Sequence, residues 1–298
     1  MCNVFAKRCC IFAPESNICN MEEEQLKKEN PWLKVADMYS PDKMDCLYGE
    51  NNYFCEGDRV AIENYNKKAS GTTDEIITKI PAEPWWGNPL KARLIILSLN
   101  PGYLPEVNKT LALLMQTNET VRRQLIEYKA KTLRLEAESF MPEEENDVDC
   151  PISCRDAVNM LGDWYWYKML RHLKEEVIRR TPNIKEDDFY KRIALIEYHA
   201  YSSITSQRAF PLRNKFLESQ IFTKKLIWYI SQKEDTRILI MRSKDKWKKL
   251  LDDDNPGFYD DNVGKKILFK KNKGMSQAIT ANNLGEIIFK DIANLLAK

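Results

Sequence analysis

Histidine and glycine are scarce in this chain, and long apolar runs are missing altogether. Only His172 and His199 occur among 298 residues, and neither stands at a zinc-binding spacing from cysteine. The 10 glycines and 13 prolines are too few for a collagen-like or low-complexity chain. No apolar stretch reaches the roughly 18 residues that a membrane-spanning helix needs. Met1–Pro14 carries Lys7 and Arg8 but no apolar core and no small-residue cleavage site, which argues against a secretory signal. The expectation is a cytoplasmic protein with reduced thiols and no membrane partner. The 8 cysteines contain no Cys-x-x-Cys pair. Ordinary thiols are therefore expected, with a metal or iron–sulfur cluster on the N-terminal group as the alternative.

Several catalytic signatures are also missing. There is no Gly-x-Gly-x-x-Gly after a strand, no P-loop, no His-Glu-x-x-His and no Gly-x-Ser-x-Gly. Dinucleotide dehydrogenase, P-loop NTPase, zincin and α/β-hydrolase are all disfavoured. Net charge is only +2, so the balance of the whole chain names no partner. The stretch Arg208–Lys249 is nonetheless rich in lysine and arginine, opposed only by Glu218, Glu234, Asp235 and Asp245. It reads either as a solvated helix face or as a strip able to neutralise phosphates.

What is present is a βα alternation. Residues 1–80 read as an N-terminal extension packed on the main domain, with a helix-favouring stretch at Met21–Lys28 and a polar, mixed stretch at Asn51–Gly71. From 81 to 298 the apolar runs Ala92–Leu99, Arg192–Tyr198, Thr236–Met241 and Lys266–Phe269 have the length and β-branching of strands buried on both faces. Helical patterning fills Glu106–Glu138, Asp156–Arg180, Lys215–Ser231, Asp245–Leu251 and Asn283–Ala297, while Pro84–Pro89 reads as a loop. Strands alternating with helices predict an α/β fold, a three-layer α/β/α domain with a short, mostly parallel sheet.

Ligands of open α/β sheets bind beyond the carboxyl ends of the strands. Those ends lead here into Asn100-Pro101-Gly102-Tyr103, His199-Ala200-Tyr201-Ser202-Ser203, Arg242-Ser243-Lys244 and Lys270–Thr280. Three of these loops combine polar hydrogen-bonders with an aromatic or flexible apolar residue, and the other is basic.

The segment Glu83-Pro84-Trp85-Trp86-Gly87-Asn88-Pro89, the run Ala92–Leu99 and the turn Asn100-Pro101-Gly102-Tyr103 together resemble the first motif of the uracil-DNA glycosylase superfamily. Within it they resemble the mismatch-specific uracil/thymine branch, whose first motif also ends in Asn-Pro-Gly. The resemblance covers Pro81 to Lys298. It implies a uracil-DNA glycosylase-like fold that flips a base out of DNA and hydrolyses its N-glycosidic bond, with neither metal nor redox cofactor. Asn100 would position the water and Tyr103 would stack on the base. Pro101, Gly102 and the backbone of Ser98 and Leu99 would line the pocket, with Glu197, His199 and Tyr201 in the base-reading loop. The family's last motif, typically His-Pro-Ser or Asn-Pro-Ser before an apolar wedge, is matched by Asn272-Lys273-Gly274-Met275-Ser276, which lacks the proline and the histidine. Asn272 would supply a hydrogen bond, Met275 the wedge and Ser276 a phosphate contact. Lys244, Lys246, Lys248 and Lys273 would meet the backbone of duplex or single-stranded DNA. The alternative is a non-catalytic nucleic-acid or nucleotide binder that retains the glycosylase fold. A metal-dependent nuclease ranks below both, because no tight carboxylate and histidine cluster falls at the strand ends.

Overall fold

The run Ala92–Leu99 forms the central strand of a five-stranded sheet. In the computed structural model, which describes residues 22–39, 53–102, 105–139, 168–205, 215–271 and 278–298, the strands are β1 (Trp85–Trp86), β2 (Leu94–Ser98), β3 (Ile193–Glu197), β4 (Arg237–Ile240) and β5 (Ile267–Phe269). Their order is β1-β3-β2-β4-β5. All pairings are parallel except β1 with β3. β2 and β3 are buried along their whole length, as their unbroken apolar runs require of strands covered on both faces.

The helices are α1 (Glu23–Lys28), α2 (Leu33–Ala36), α3 (Arg59–Ala69), α4 (Pro105–Thr117), α5 (Glu119–Leu133), α6 (Lys168–Arg180), α7 (Glu186–Lys191), α8 (Glu218–Ser231), α9 (Lys244–Leu251), α10 (Phe258–Asn262), α11 (Ala281–Leu284) and α12 (Glu286–Ala297). α12 packs on α6, α9 on α8, and α2 on α5. The result is an α/β protein with a mixed, mostly parallel sheet. Among the described residues no helix is long and apolar enough to cross a membrane.

Three local outcomes differ from the sequence reading. Trp85 and Trp86 are an edge strand, paired antiparallel to Leu195 and Ile196, where a loop is expected. Trp85 is buried beside Phe222, and its Nε1 donates to the Thr132 carbonyl at 2.6 Å. Two residues between Pro84 and Gly87 are too few to show a strand period. The helical stretch after Glu106 divides at Asn118, whose side chain accepts from the Val121 amide at 3.0 Å and caps α5. The closing helix is also broken. Gly285 has φ 87 and ψ 146, a region essentially restricted to glycine, and it separates α11 from α12.

The N-terminal segment contributes to the common core. Leu26 and Trp32 are fully buried, and the Asn30 side chain donates to the Leu133 carbonyl at 2.7 Å. The polar stretch Asn51–Gly71 contains α3, which buries Ile62 and Ala69. Trp164 and Trp166, in the expected helical stretch before α6, lie outside the described residues.

Candidate functional site at the carboxyl edge of the sheet

The chain runs from β2 to β3 on one side of it, then returns to β4 on the other. The strand order therefore reverses at β2, and the carboxyl end of a strand at such a reversal is where doubly wound sheets bind ligands. The neighbouring strands follow β2 to its end. The Met241 amide donates to the Leu97 carbonyl at 3.0 Å, Tyr198 to Ser98 at 3.3 Å and His199 to Leu99 at 2.9 Å. Beyond the strands Gly102 bridges to Ser203, so the loops after β2 and β3 close on each other.

Asn100 stands between them, half-buried. Its Nδ2 donates to the Pro101 carbonyl at 3.1 Å and to Ser203 Oγ at 3.4 Å. Pro101 is buried and Gly102 exposed. Ser98 and Leu99 are buried, and the Ser98 carbonyl also accepts from Trp247 Nε1 at 3.1 Å.

Glu197 is the register partner of Ser98, so both side chains leave the same face of the sheet. It is 4 % exposed. Burial pushes its carboxyl up to about 8, and Glu83 adds to the rise, while the Ser98 hydroxyl and Arg242 oppose it. Oε2 has no hydrogen-bond partner among the described residues.

The other members of this loop face inward. His199 is fully buried, with Nδ1 at 3.4 Å from Gln220 Nε2 and the Tyr198 ring edge-on at 4.7 Å. Tyr201 is buried and points to the N-terminal segment, where its hydroxyl donates to Asp58 Oδ2. Both shape the loop from beneath.

The basic residues divide by their surroundings. Lys246 is half-buried with Nζ 5.7 Å from the centre of the Tyr198 ring. Burial holds its ammonium below the usual lysine range. Lys244 is exposed and its Nζ lies 4.3 Å from the Phe269 ring centre. Lys248 is engaged elsewhere, at 2.5 Å from Asp260 and 3.7 Å from Asp252. Arg242 is exposed, and its charge joins burial in lowering the Lys270 ammonium. Positive charge therefore gathers where β4 and β5 end. Between them Ser243 adopts the left-handed conformation at φ 57, which costs a non-glycine residue about 1–2 kcal/mol.

The structure brings Asn100, Ser98, Leu99, Pro101, Gly102, Glu197 and His199 to one edge of the sheet and turns Tyr201 toward the extension. Tyr103, Asn272, Lys273, Met275 and Ser276 lie outside the described residues. Ser203, Arg242 and Lys270 were not singled out as site residues. The rule that flags strand-end loops covers the positions of all three, but their types carry no motif. Asp58 has no signal at all in its polar stretch. A separate shallow hollow, open to solvent, is formed by Glu83, Trp86, Tyr128 and Lys129 among others, and includes none of the expected site residues. Among the described residues no group of three histidine, cysteine, aspartate or glutamate side chains is arranged to hold a metal ion. No family model matches the chain, and no curated protein or solved structure matches it.

Proposed function

We propose that the chain is a uracil-DNA glycosylase-like enzyme with a three-layer α/β/α fold, which excises a flipped base from DNA by hydrolysing its N-glycosidic bond. The observation that carries this reading is the placement of Asn100 at the chain reversal, its amide held by Ser203 Oγ at 3.4 Å and its loop bridged to the loop after β3. The first motif of the resemblance ends in the turn that this residue opens.

An asparagine cannot accept a proton from water as a carboxylate does. It orients the water toward the anomeric carbon and supports the positive charge that grows on the sugar as the base departs. Such chemistry is suited to a base that leaves easily or sits in a weak pair. Extruding the base costs a few kcal/mol of stacking and pairing. Met275 as a wedge and Tyr103 as a stacking face are the groups proposed to offset it. Lys244 and Lys246, beside Arg242 and Lys270, are proposed to meet the phosphates.

The test is an abasic-site assay on duplexes and single strands carrying uracil, mispaired thymine or hypoxanthine. Product is expected from at least one of them. Asn100→Ala should lower its rate roughly 100-fold or more, and Arg179→Gln on the exposed face of α6 should leave it unchanged. Binding without turnover on every substrate would replace the enzyme with a nucleic-acid-binding protein of the same fold.

A further inference from the structure

The Asn100 side chain is held by groups that only accept. The Pro101 carbonyl takes one bond from its Nδ2 at 3.1 Å, and Ser203 Oγ takes another at 3.4 Å. A serine hydroxyl is able to donate as well, but the proton of Ser203 is already given to the Thr205 carbonyl. Both neighbours therefore face the NH2 end of the amide, and Oδ1 is the end left to accept from a water. Thr205 is fixed in turn by the N-terminal segment. Its amide donates to the Thr73 carbonyl at 2.9 Å, and its hydroxyl donates to Asp74 Oδ1 and stands 3.3 Å from Thr73 Oγ1. The turn that carries Thr73 and Asp74 is pinned to α3. The Tyr65 hydroxyl donates to the Asp74 carbonyl at 3.1 Å, and the Asn66 side chain bonds the Ile76 amide at 2.9 Å and the Ile76 carbonyl at 2.8 Å. The Ile77 amide then donates to the Ser202 carbonyl at 2.9 Å.

We infer that Thr205 and Asp74 are positioning residues of the hydrolytic step, setting through Ser203 which end of the Asn100 amide meets the water. The inference rests on the glycosylase reading and adds to it a role for the N-terminal segment, which lies outside the motif resemblance. A carboxamide has two orientations related by a half-turn about Cβ–Cγ, and the half-turn exchanges donor for acceptor. With the Thr205 carbonyl in place the Ser203 proton is spent, and only one orientation satisfies both neighbours. With Thr205 released, Ser203 is free to turn its proton to Asn100, and the reversed amide presents NH2 to the water. The difference matters for attack. A water that donates to Oδ1 keeps both lone pairs for the anomeric carbon, whereas a water that accepts from NH2 has one of them engaged. Thr205 and Asp74 thus act by holding a backbone carbonyl in place, and small misplacements near a reacting centre are costly in rate.

Single-turnover excision by the full-length protein, on duplexes carrying uracil, mispaired thymine or hypoxanthine, provides the test. Thr205→Val removes the hydroxyl and keeps the backbone bond to Thr73. It is expected to lower the maximal rate about 10-fold with duplex affinity unchanged, and Asp74→Ala should do the same from the other side of the bond. Thr205→Ser and Asp74→Asn keep a donor and an acceptor and should restore most of the rate. Thr205 is exposed, so the melting temperature of its variants should match that of wild type. The decisive arm is the double variant. If Thr205 acts through Asn100, adding Thr205→Val to Asn100→Ala lowers the rate no further. An equal loss in that background, a loss that appears as weaker DNA binding, a rate that Thr205→Ser does not recover, or a full rate in both folded single variants overturns the positioning role and leaves the glycosylase reading standing. A wild-type protein that excises no base overturns both.

Discussion

The Tyr201 hydroxyl donates a 2.6 Å hydrogen bond to Asp58 Oδ2 across a sequence separation of 143. The second carboxyl oxygen accepts from the Ser219 amide at 3.2 Å, and the Cys55 amide donates to the Tyr201 oxygen at 3.2 Å. One buried carboxyl thus ties the N-terminal segment to the loop after β3 and to the start of α8. Further bonds fasten the same loop, from Ile77 N to the Ser202 carbonyl at 2.9 Å and from Glu83 N to the Ala200 carbonyl at 2.8 Å.

Removing the phenol oxygen leaves Asp58 buried with one partner fewer. Tyr201→Phe is expected to cost about 1–3 kcal/mol, and Asp58→Asn a similar amount, because the Tyr201 hydroxyl and the Ser219 amide use different carboxyl oxygens and only one acceptor oxygen remains. Urea unfolding measures the difference. Amide hydrogen exchange should quicken in residues 199–205 of Tyr201→Phe before it does in β2. Unchanged exchange there would remove the loop-holding role.

The raised carboxyl of Glu197 has a consequence for stability. A group whose folded pKa lies above its unfolded value binds a proton more tightly in the fold. Its contribution is present at low pH and is lost as the pH climbs from about 4.5 towards 8. Glu197→Gln should abolish that decline and exceed wild-type stability at pH 9 by more than about 1 kcal/mol. Chemical denaturation at pH 5, 7 and 9 supplies the comparison. Parallel slopes for the two proteins would show that the carboxyl ionises as easily in the fold as in the unfolded chain.

Lys224 is 1 % exposed and its Nζ lies 2.6 Å from both Asp253 Oδ2 and Asp254 Oδ2. The two carboxylates reach water and the ammonium does not, so the pair is asymmetric. Replacing both aspartates with asparagine strands a buried cation and should cost about 3 kcal/mol. Lys224→Met returns the carboxylates to solvent and keeps most of the packing, so it should cost about 1 kcal/mol or less. Equal losses from the two variants in thermal or urea unfolding would contradict this account.

Lys246 and Lys248 belong to one helix and have different surroundings. Lys248 is already engaged by Asp260 and Asp252, whereas Lys246 sits against Tyr198, the residue that follows β3. With a fluorescent duplex, Lys246→Ala is expected to weaken binding and lower the salt dependence by about one counterion. Lys248→Ala should do neither. The reverse ranking would move the nucleic-acid surface to another face.

Much of the sheet was legible because its strands are long enough to show their pattern. Leu94–Ser98 and Ile193–Glu197 are runs buried on both faces, and burial on both faces demands continuous apolar sequence. Trp85–Trp86 has no such run; it is a strand only because β3 offers it an edge. α3 was hidden for a related reason, since it buries only Ile62 and Ala69 among its 11 residues. The hydrogen-bonded cluster around Asp58 could not be read at all, because a lone aspartate in a polar stretch looks the same whether it meets water or a distant tyrosine.

The sequence by itself determined the alternation of strands and helices, the mostly parallel character of the sheet and the loops that follow its parallel strands, because apolar periodicity and turn residues act over a few neighbours. Only the tertiary structure decided which loops meet, which charges lose their water and which way each side chain turns. Glu197 illustrates the division. Its place at a strand end is local, but its proton affinity depends on burial and on Glu83, Ser98 and Arg242, which reach it from three other parts of the chain.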